Sequence, residues 1–297
     1  MPELPDLTVY VEALERRILD QPIQKIRLAS PFVLRSVEPG VAEVVGKRVR
    51  GIERLGKRLV FVLDDDLFAV VHLMVAGRFQ WKDGPGAKVP GKVGLLAIDF
   101  PSGTLLLTEA STKKRASLHL ARGRASLEAF ARGGLEPLGS SFVAFAEALR
   151  RERHTLKRAL TDPRLFAGIG NAYSDEILHR ARMSPVTRTD RLDDAAIATL
   201  HGATLEVLGE WTARLRAEAG PAFPAKVTAF RAEMAVHGKF GQPCPVCGTK
   251  VQRIVYAENE SNYCPRCQTD GKLLADRSLS RLLKENWPRT IEELEGR

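Results

Sequence analysis

Only four cysteines occur in the 297 residues. That is too few, in a chain this long, for a disulfide-stapled scaffold. Long apolar runs are also missing. The longest stretch, Leu67 to Ala76, is interrupted by His72 and is too short to cross a bilayer. The amino end, Met1-Pro2-Glu3-Leu4-Pro5-Asp6, has neither a basic segment nor an apolar core of the secretory kind, so a cytoplasmic, non-secreted protein is expected. No internal repeat of fixed period is visible. Acidic residues are outnumbered, 36 against 45 Lys and Arg, for a net charge of +9. Such a surplus favours an anionic partner, with nucleic acid ahead of an anionic membrane surface. An apolar content of 44% with 27% charged residues is ordinary globular usage, and the length suggests about two domains.

The hydrophobic pattern divides the chain. Leu7, Val11, Leu14 and Ile18 share one face of a helix expected to start just after Pro5. From there to about residue 120 the pattern is strand-like. Leu59 to Leu63 and Phe68 to Val71 flank Asp64-Asp65-Asp66, and Leu95 to Phe100 and Thr104 to Leu107 flank Pro101-Ser102-Gly103. Both read as β-hairpins. Lys82 to Gly94 reads as an exposed loop. Beyond Gly133-Gly134 helical periods dominate, over Phe142 to Leu149, Leu156 to Leu160, Ala172 to Arg180 and Ala195 to Leu215. A Pro/Ala-rich stretch, Gly220 to Ala225, leads to a cysteine module and a charged, helix-prone tail.

Cys244-Pro245-Val246-Cys247 and Cys264-Pro265-Arg266-Cys267 are two CxxC pairs with 16 residues between them. Two such knuckles on a hairpin complete a tetrahedral thiolate site, so one structural Zn²⁺ is expected, without a fifth ligand candidate. Redox-active pairs are the weaker alternative. Lys239, Lys250, Arg253 and Arg266 surround the module, which favours contact with nucleic acid over a bare stapled hairpin.

Two further segments carry chemistry. Removal of Met1 would leave Pro2 with a free secondary amine beside the carboxylate of Glu3. An α-amino group titrates well below lysine, so more of it is neutral and nucleophilic near neutral pH. By itself this start reads rather as a first-turn proline and an acidic residue favouring the helix dipole. Phe166 to Tyr173, with Gly168-Ile169-Gly170-Asn171, joins two helices; Asn171 is expected as the N-cap of the second. Glycines there allow close approach to a phosphate, and the helix start offers free N–H groups. Lys157, Arg158, Arg180 and Arg182 lie nearby in sequence.

Together, the Met1-Pro2-Glu3-Leu4-Pro5-Asp6 start, Gly56-Lys57, His72-Leu73, the Gly168–Tyr173 segment and the cysteine module followed by Gln268 resemble the formamidopyrimidine-DNA glycosylase / endonuclease VIII family. Their order and approximate spacing agree over residues 1 to about 268. The resemblance implies an α+β multidomain fold: an N-terminal helix with a β-sandwich (1–132), a helix-two-turn-helix DNA-binding domain (133–236), a four-cysteine zinc-finger hairpin (237–268) and an extension (269–297). It implies a bifunctional DNA glycosylase and AP lyase acting on oxidised or ring-opened bases in damaged double-stranded DNA, as a monomer without membrane contact. Pro2 would be the nucleophile, Glu3 the proton donor, and Lys57 an aid at the deoxyribose and phosphate. DNA contacts would come from His72, Met74, Val75, Lys113, Lys114, Arg115, Lys157, Gly170, Asn171 and the finger position Asn259.

Some positions depart from the family pattern. Asn259 stands where the finger presents an arginine, five residues before the third cysteine; Arg253 and Arg266 are the nearby substitutes. Val75, with Met74 beside it, occupies the place of a void-filling methionine, and Glu109 to Arg115 lacks the aromatic of an Arg-x-Phe wedge. The stretch Gly220 to Phe230 is shorter than the family's loop over a flipped oxidised purine. The tail after Cys267 carries six basic and six acidic residues; docking through Leu273, Leu274, Leu279, Leu282 and Leu283 is expected. Two alternatives stay open: a catalytically weakened damaged-DNA or AP-site-binding protein, and an unrelated zinc-ribbon binder with an accidental Met1-Pro2-Glu3 start.

Overall fold

The computed structural model describes residues 1–225, 227–256, 259–275, 282 and 288–295. They form two compact units, Met1–Arg132 with Trp211–Thr228, and Gly133–Glu210 with Ala229–Arg297. The stretch 211–228, assigned on sequence to the helical domain, therefore packs with the first unit.

The first unit opens with helix α1, Leu4–Ile18. It begins at Leu4 rather than after Pro5, with Glu3 as N-cap and Pro5 in the first turn. Proline is tolerated there because its missing N–H has no helical partner. A one-turn helix α2, Val41–Val44, and two four-stranded antiparallel sheets follow. One runs in the order β1 (Lys25–Leu28), β6 (Gly94–Phe100), β7 (Gly103–Glu109), β5 (Gly77–Asp83); the other runs β2 (Val49–Leu55), β3 (Arg58–Leu63), β4 (Leu67–His72), β8 (Ser117–Arg122). The two expected hairpins are β3–β4 and β6–β7, the first turning through a short 3-10 segment at Asp64–Asp66.

Strand alternation explains the packing. Leu59, Phe61 and Leu63 of β3 join Leu105 and Leu107 of β7 and Leu7, Tyr10, Leu14 and Ile18 of α1 in one core. On the other face of the second sheet, Val60, Phe68 and Val70 pack against Leu127 and Phe130. Both faces of β3–β4 are thus covered, which is why those strands read as continuous apolar runs. The stretch Gly220 to Ala225 is pinned to α1: Phe223 packs on Tyr10 at 5.6 Å between ring centroids, and Arg17 donates to the Pro221 carbonyl at 2.8 Å.

The second unit is helical. It contains α3 (Phe142–Arg150), α4 (Leu156–Thr161), α5 (Asn171–Arg180) and the larger part of α6 (Asp194–Ala219). Ser141 and Thr155 cap α3 and α4, accepting from Ala144 N and Arg158 N. A hairpin of β9 (Gln252–Tyr256) and β10 (Asn259–Tyr263) follows, then α7 (Pro265–Thr269). The tail returns in a short helix, Ile291–Glu295, whose Ile291 N–H donates to Gly271 O at 2.9 Å. Docking through leucines is only partly realised. Leu274 N–H donates to the Tyr263 hydroxyl at 2.8 Å, whereas Leu282 is 77% exposed and Leu279 and Leu283 lie outside the described residues.

Candidate functional sites

In the first unit the charged groups gather at the amino end. Pro2 and Glu3 are buried, and Asp6 in the first turn of α1 accepts the Glu3 N–H at 3.0 Å. The terminal amine, here on Met1, is held below its ordinary value chiefly by burial; Arg78 and Lys57 push it further down, while Glu3 and Asp6 pull it back. Residues from α1, the β2–β3 turn and β5 therefore converge electrostatically on one nitrogen. Lys57 is carried by a two-residue turn, since Leu55 pairs with Arg58 and Gly56 takes the left-handed φ of 59°.

His72 closes β4, paired with Arg58 on one side and Ser117 on the other. Its imidazole is pulled down to about 4 by burial first, then by Arg58, Lys57 and His119. It is neutral at physiological pH and can donate or accept a hydrogen bond, but adds no charge. After it the chain reverses tightly: Gly77 N–H donates to Leu73 O at 2.9 Å, and Met74 adopts φ 53°. A Cβ on Gly77 would lie 2.1 Å from the Leu73 oxygen, so only glycine fits. Val75 sits on this turn with 61% of its surface exposed. In the other loop, buried Glu109 accepts the N–H groups of Arg115 (2.8 Å) and Ala116 (3.0 Å), and Lys114 donates to the Glu109 carbonyl. Lys113 and Arg115 are exposed.

In the second unit, α5 organises the site along its length. Gly170, not Asn171, is the N-cap; Asn171 is the first helical residue. Gly168 adopts φ 81°, which turns the chain into the helix and leaves the cap to Gly170. Lys157 projects beneath this start, donating to Asn171 O at 2.7 Å and Asp175 Oδ1 at 2.5 Å. Burial alone would raise the Asp175 carboxyl, but the ammonium of Lys157 and the His237 contact hold it low. Asp175 also receives His237 Nδ1 at 2.8 Å, Ser261 Oγ at 3.2 Å and Asn262 Nδ2 at 3.3 Å. Glu176 accepts the N–H groups of Ala235, Val236 and His237 within 2.8–2.9 Å. Asp175, Glu176 and His237 are not singled out by sequence; the available signal is a pair of adjacent carboxylates, Asp175-Glu176, in the middle of a short helix.

The four cysteine sulfurs lie within 4.8 Å of one another, with Cys244–Cys267 at 3.9 Å and Cys247–Cys264 at 3.4 Å. Thiolates about 2.3 Å from a tetrahedral zinc ion stand roughly 3.8 Å apart, so the donor set fits. The expectation of no further candidate donor needs correcting: His179, buried in the last turn of α5, places Nε2 3.3 Å from Cys244 Sγ. The four-atom cluster among the described residues remains the four sulfurs, and His179 is an outer neighbour that orients one of them. The two arginines near the finger are engaged. Arg253 stacks over Phe240 at 4.4 Å and pairs with Glu260, and Arg266 approaches Glu292 at 3.6 Å. Asn259 begins β10, with its backbone paired to Tyr256.

Three family profiles match in chain order: the formamidopyrimidine-DNA glycosylase N-terminal domain over residues 1–121, the formamidopyrimidine-DNA glycosylase H2TH domain over 134–215, and the zinc finger found in FPG and IleRS over 241–269. A formamidopyrimidine-DNA glycosylase of Desulfitobacterium hafniense is 33% identical over 281 residues, covering 90% of this chain and 100% of the relative. The chain belongs to the formamidopyrimidine-DNA glycosylase family. Base-excision DNA repair is the function that membership carries, and it removes the alternative of an unrelated zinc-ribbon binder. Wild-type Lactococcus lactis Fpg, solved in complex with DNA containing an oxidised pyrimidine, superposes with a TM-score of 0.79 at 30% identity, over 90% of this chain and 100% of that one. The same enzyme in complex with abasic-site DNA gives 0.77 at 29% identity, over 90% and 99%.

Proposed function

We propose that this family member excises oxidised or ring-opened bases from duplex DNA through a secondary amine at Pro2 and then cuts the strand as an AP lyase. The observation carrying this reading is the convergence of Glu3, Asp6, Arg78 and Lys57 on the terminal nitrogen. Burial and the two cations lower the proton affinity of the Met1 amine; a Pro2 amine freed beside them by removal of Met1 would likewise be favoured in the neutral form that attack on C1′ needs. As the N–C1′ bond forms, the glycosidic bond breaks and its electron pair leaves with the base. Glu3, buried at the helix start, is placed to pass the proton that this departure requires. Loss of the amine proton leaves a neutral aminal. The C1′–O4′ bond then breaks as O4′ takes up a proton, which opens the sugar and gives an iminium. Removal of the C2′ proton passes the C2′–H electron pair to that iminium. The 3′ phosphate then leaves by β-elimination, and Lys57 offsets charge on the backbone.

Asn171 and Gly170 at the start of α5, His72, the Met74–Val75 turn and the Lys113–Arg115 loop are the proposed DNA contacts. Lys157 acts there by bracing the Asn171 turn. The four cysteines hold one structural Zn²⁺. The protein would work as a monomer in the cytoplasm, on nucleoid DNA.

Borohydride trapping on an abasic-site duplex tests the reading. Mature protein should give a covalent adduct, and protein whose amino end is blocked by an extension should give none. Equal trapping by both would reject Pro2 as nucleophile. Tight lesion binding with no adduct from either would favour a damaged-DNA-binding protein of weakened turnover, the reading supported by Asn259 and by the small side chain of Val75.

A further inference from the structure

We propose that the extension after the finger is a clasp that retains the structural metal by holding α7, and with it the second CxxC pair, closed. The inference rests on the zinc reading of the four cysteines and gives a part to residues beyond the matched finger, which ends at 269. Cys264 is the N-cap of α7 and Cys267 lies within it, so one element carries two of the four thiolates. A helix of five residues, Pro265–Thr269, does not hold its shape alone. Release of a metal from four thiolates needs one knuckle to open. The first pair turns on itself, Gly248 N–H donating to Cys244 O and Cys244 N–H to Thr249 O, both at 2.9 Å. The second is braced from the helical side by Gln268, which accepts Cys264 N–H and donates to Met183 O, each at 2.8 Å. The far end of α7 is left to the extension.

That extension first completes the helix and then returns to it. Gly271 N–H donates to Pro265 O at 3.1 Å and Lys272 N–H to Thr269 O at 3.0 Å. Leu274 N–H reaches the hydroxyl of Tyr263, the buried residue just before Cys264. The chain comes back antiparallel, with Lys272 bridged to Thr290, Leu273 N–H donating to Arg289 O at 2.8 Å and Ile291 N–H to Gly271 O at 2.9 Å. Glu293 fixes this return: its carboxylate accepts Arg289 N–H at 2.7 Å, and its own N–H donates to Thr290 Oγ1 at 3.3 Å. Ile291 is 1% exposed and Pro288 is buried, whereas Glu292, Glu293 and Leu294 beside them face solvent. A Cβ on Gly271 would stand 3.8 Å from Ile291 Cγ2, so Ile291 packs directly on the turn that closes α7. Burial of that one apolar side chain is the main hold, since the Arg266–Glu292 pair at 3.6 Å is exposed and contributes little.

The test uses full-length, zinc-loaded protein mixed with excess pyridylazoresorcinol, whose absorbance follows the transfer of zinc. Ile291→Ala should release zinc about tenfold faster than wild type, with Ile291→Val between them. Cobalt-substituted I291A should keep the wild-type visible spectrum, because the donor set is untouched. Hydrogen exchange should show the Gly271, Lys272 and Leu273 amides losing protection in I291A while Gly248, in the first pair, keeps its own. Equal release from wild type and I291A would overturn the proposal. So would a changed cobalt spectrum or lost protection at Gly248, which would place the effect in the ligands or in the finger as a whole. Wild-type protein without stoichiometric zinc would instead reject the zinc reading, while exchange at Gly271 would still decide whether the extension holds α7.

Discussion

The two units solve the problem of placing charge in opposite ways. Around the amino end, Lys57 and Arg78 act against Glu3 and Asp6 on a nitrogen whose hold on a proton is weakened chiefly by burial. Around α5, charges are matched: Asp175 is closed in by Lys157, His237, Ser261 and Asn262, and Glu176 by three backbone N–H groups. Burial perturbs a reactive group, and buried charges that are closely paired and hydrogen-bonded fix a scaffold. One helix consequently carries the proposed phosphate contact at its start, the finger's buried anchors in its middle and His179 against Cys244 at its end.

The comparison breaks most visibly on metal removal. Chelation, or Cys264→Ser with Cys267→Ser, should unfold the finger, because structural zinc contributes on the order of 10 kcal/mol to such modules. Duplex affinity should collapse while the melting of the first unit, followed by calorimetry, stays in place. A common downward shift of both transitions would show that the units do not divide the work this way. Next in size, Asp175→Asn should leave Lys157 buried without its counter-charge and cost about 3–5 kcal/mol in urea unfolding of the second unit. A loss below about 1 kcal/mol would mean the pair is not a scaffold element.

The smallest effect sharpens the first unit. His72 is held near 4 in the folded protein against an ordinary value of 6.5. The unfolded chain therefore binds the extra proton between those values. Stability should fall as pH drops from about 6.5 toward 4 and be level above, by at most about 3 kcal/mol. His72→Gln should flatten that slope in urea melts at pH 4.5 and 7. A slope unchanged by the substitution would assign it to other groups.

Much of the fold was legible because it obeys local rules. The two hairpins followed from apolar alternation around Asp64–Asp66 and Pro101–Gly103, and the metal site from CxxC spacing. What escaped is side-chain chemistry between distant segments. Asn171 has the residue type of an N-cap, yet Gly168 and Gly170 turn the chain so that Gly170 takes that place. Lys157 is expected from sequence as a DNA contact; its ammonium is directed at Asp175, 18 residues away. The Pro/Ala-rich stretch Gly220 to Ala225 reads as a separator ahead of the cysteine module, yet it is bound to α1 through Arg16, Arg17 and its own Phe223.

Periodicity and ligand spacing are properties of neighbours along the chain, so the residues alone determined the strands, the helices, the thiolate quartet and the family. Which polar group meets which depends on the path of the backbone through space. Only the folded molecule decided that Arg78 spans Val75, Gly77 and Val227, and that His179 reaches a cysteine 65 residues on.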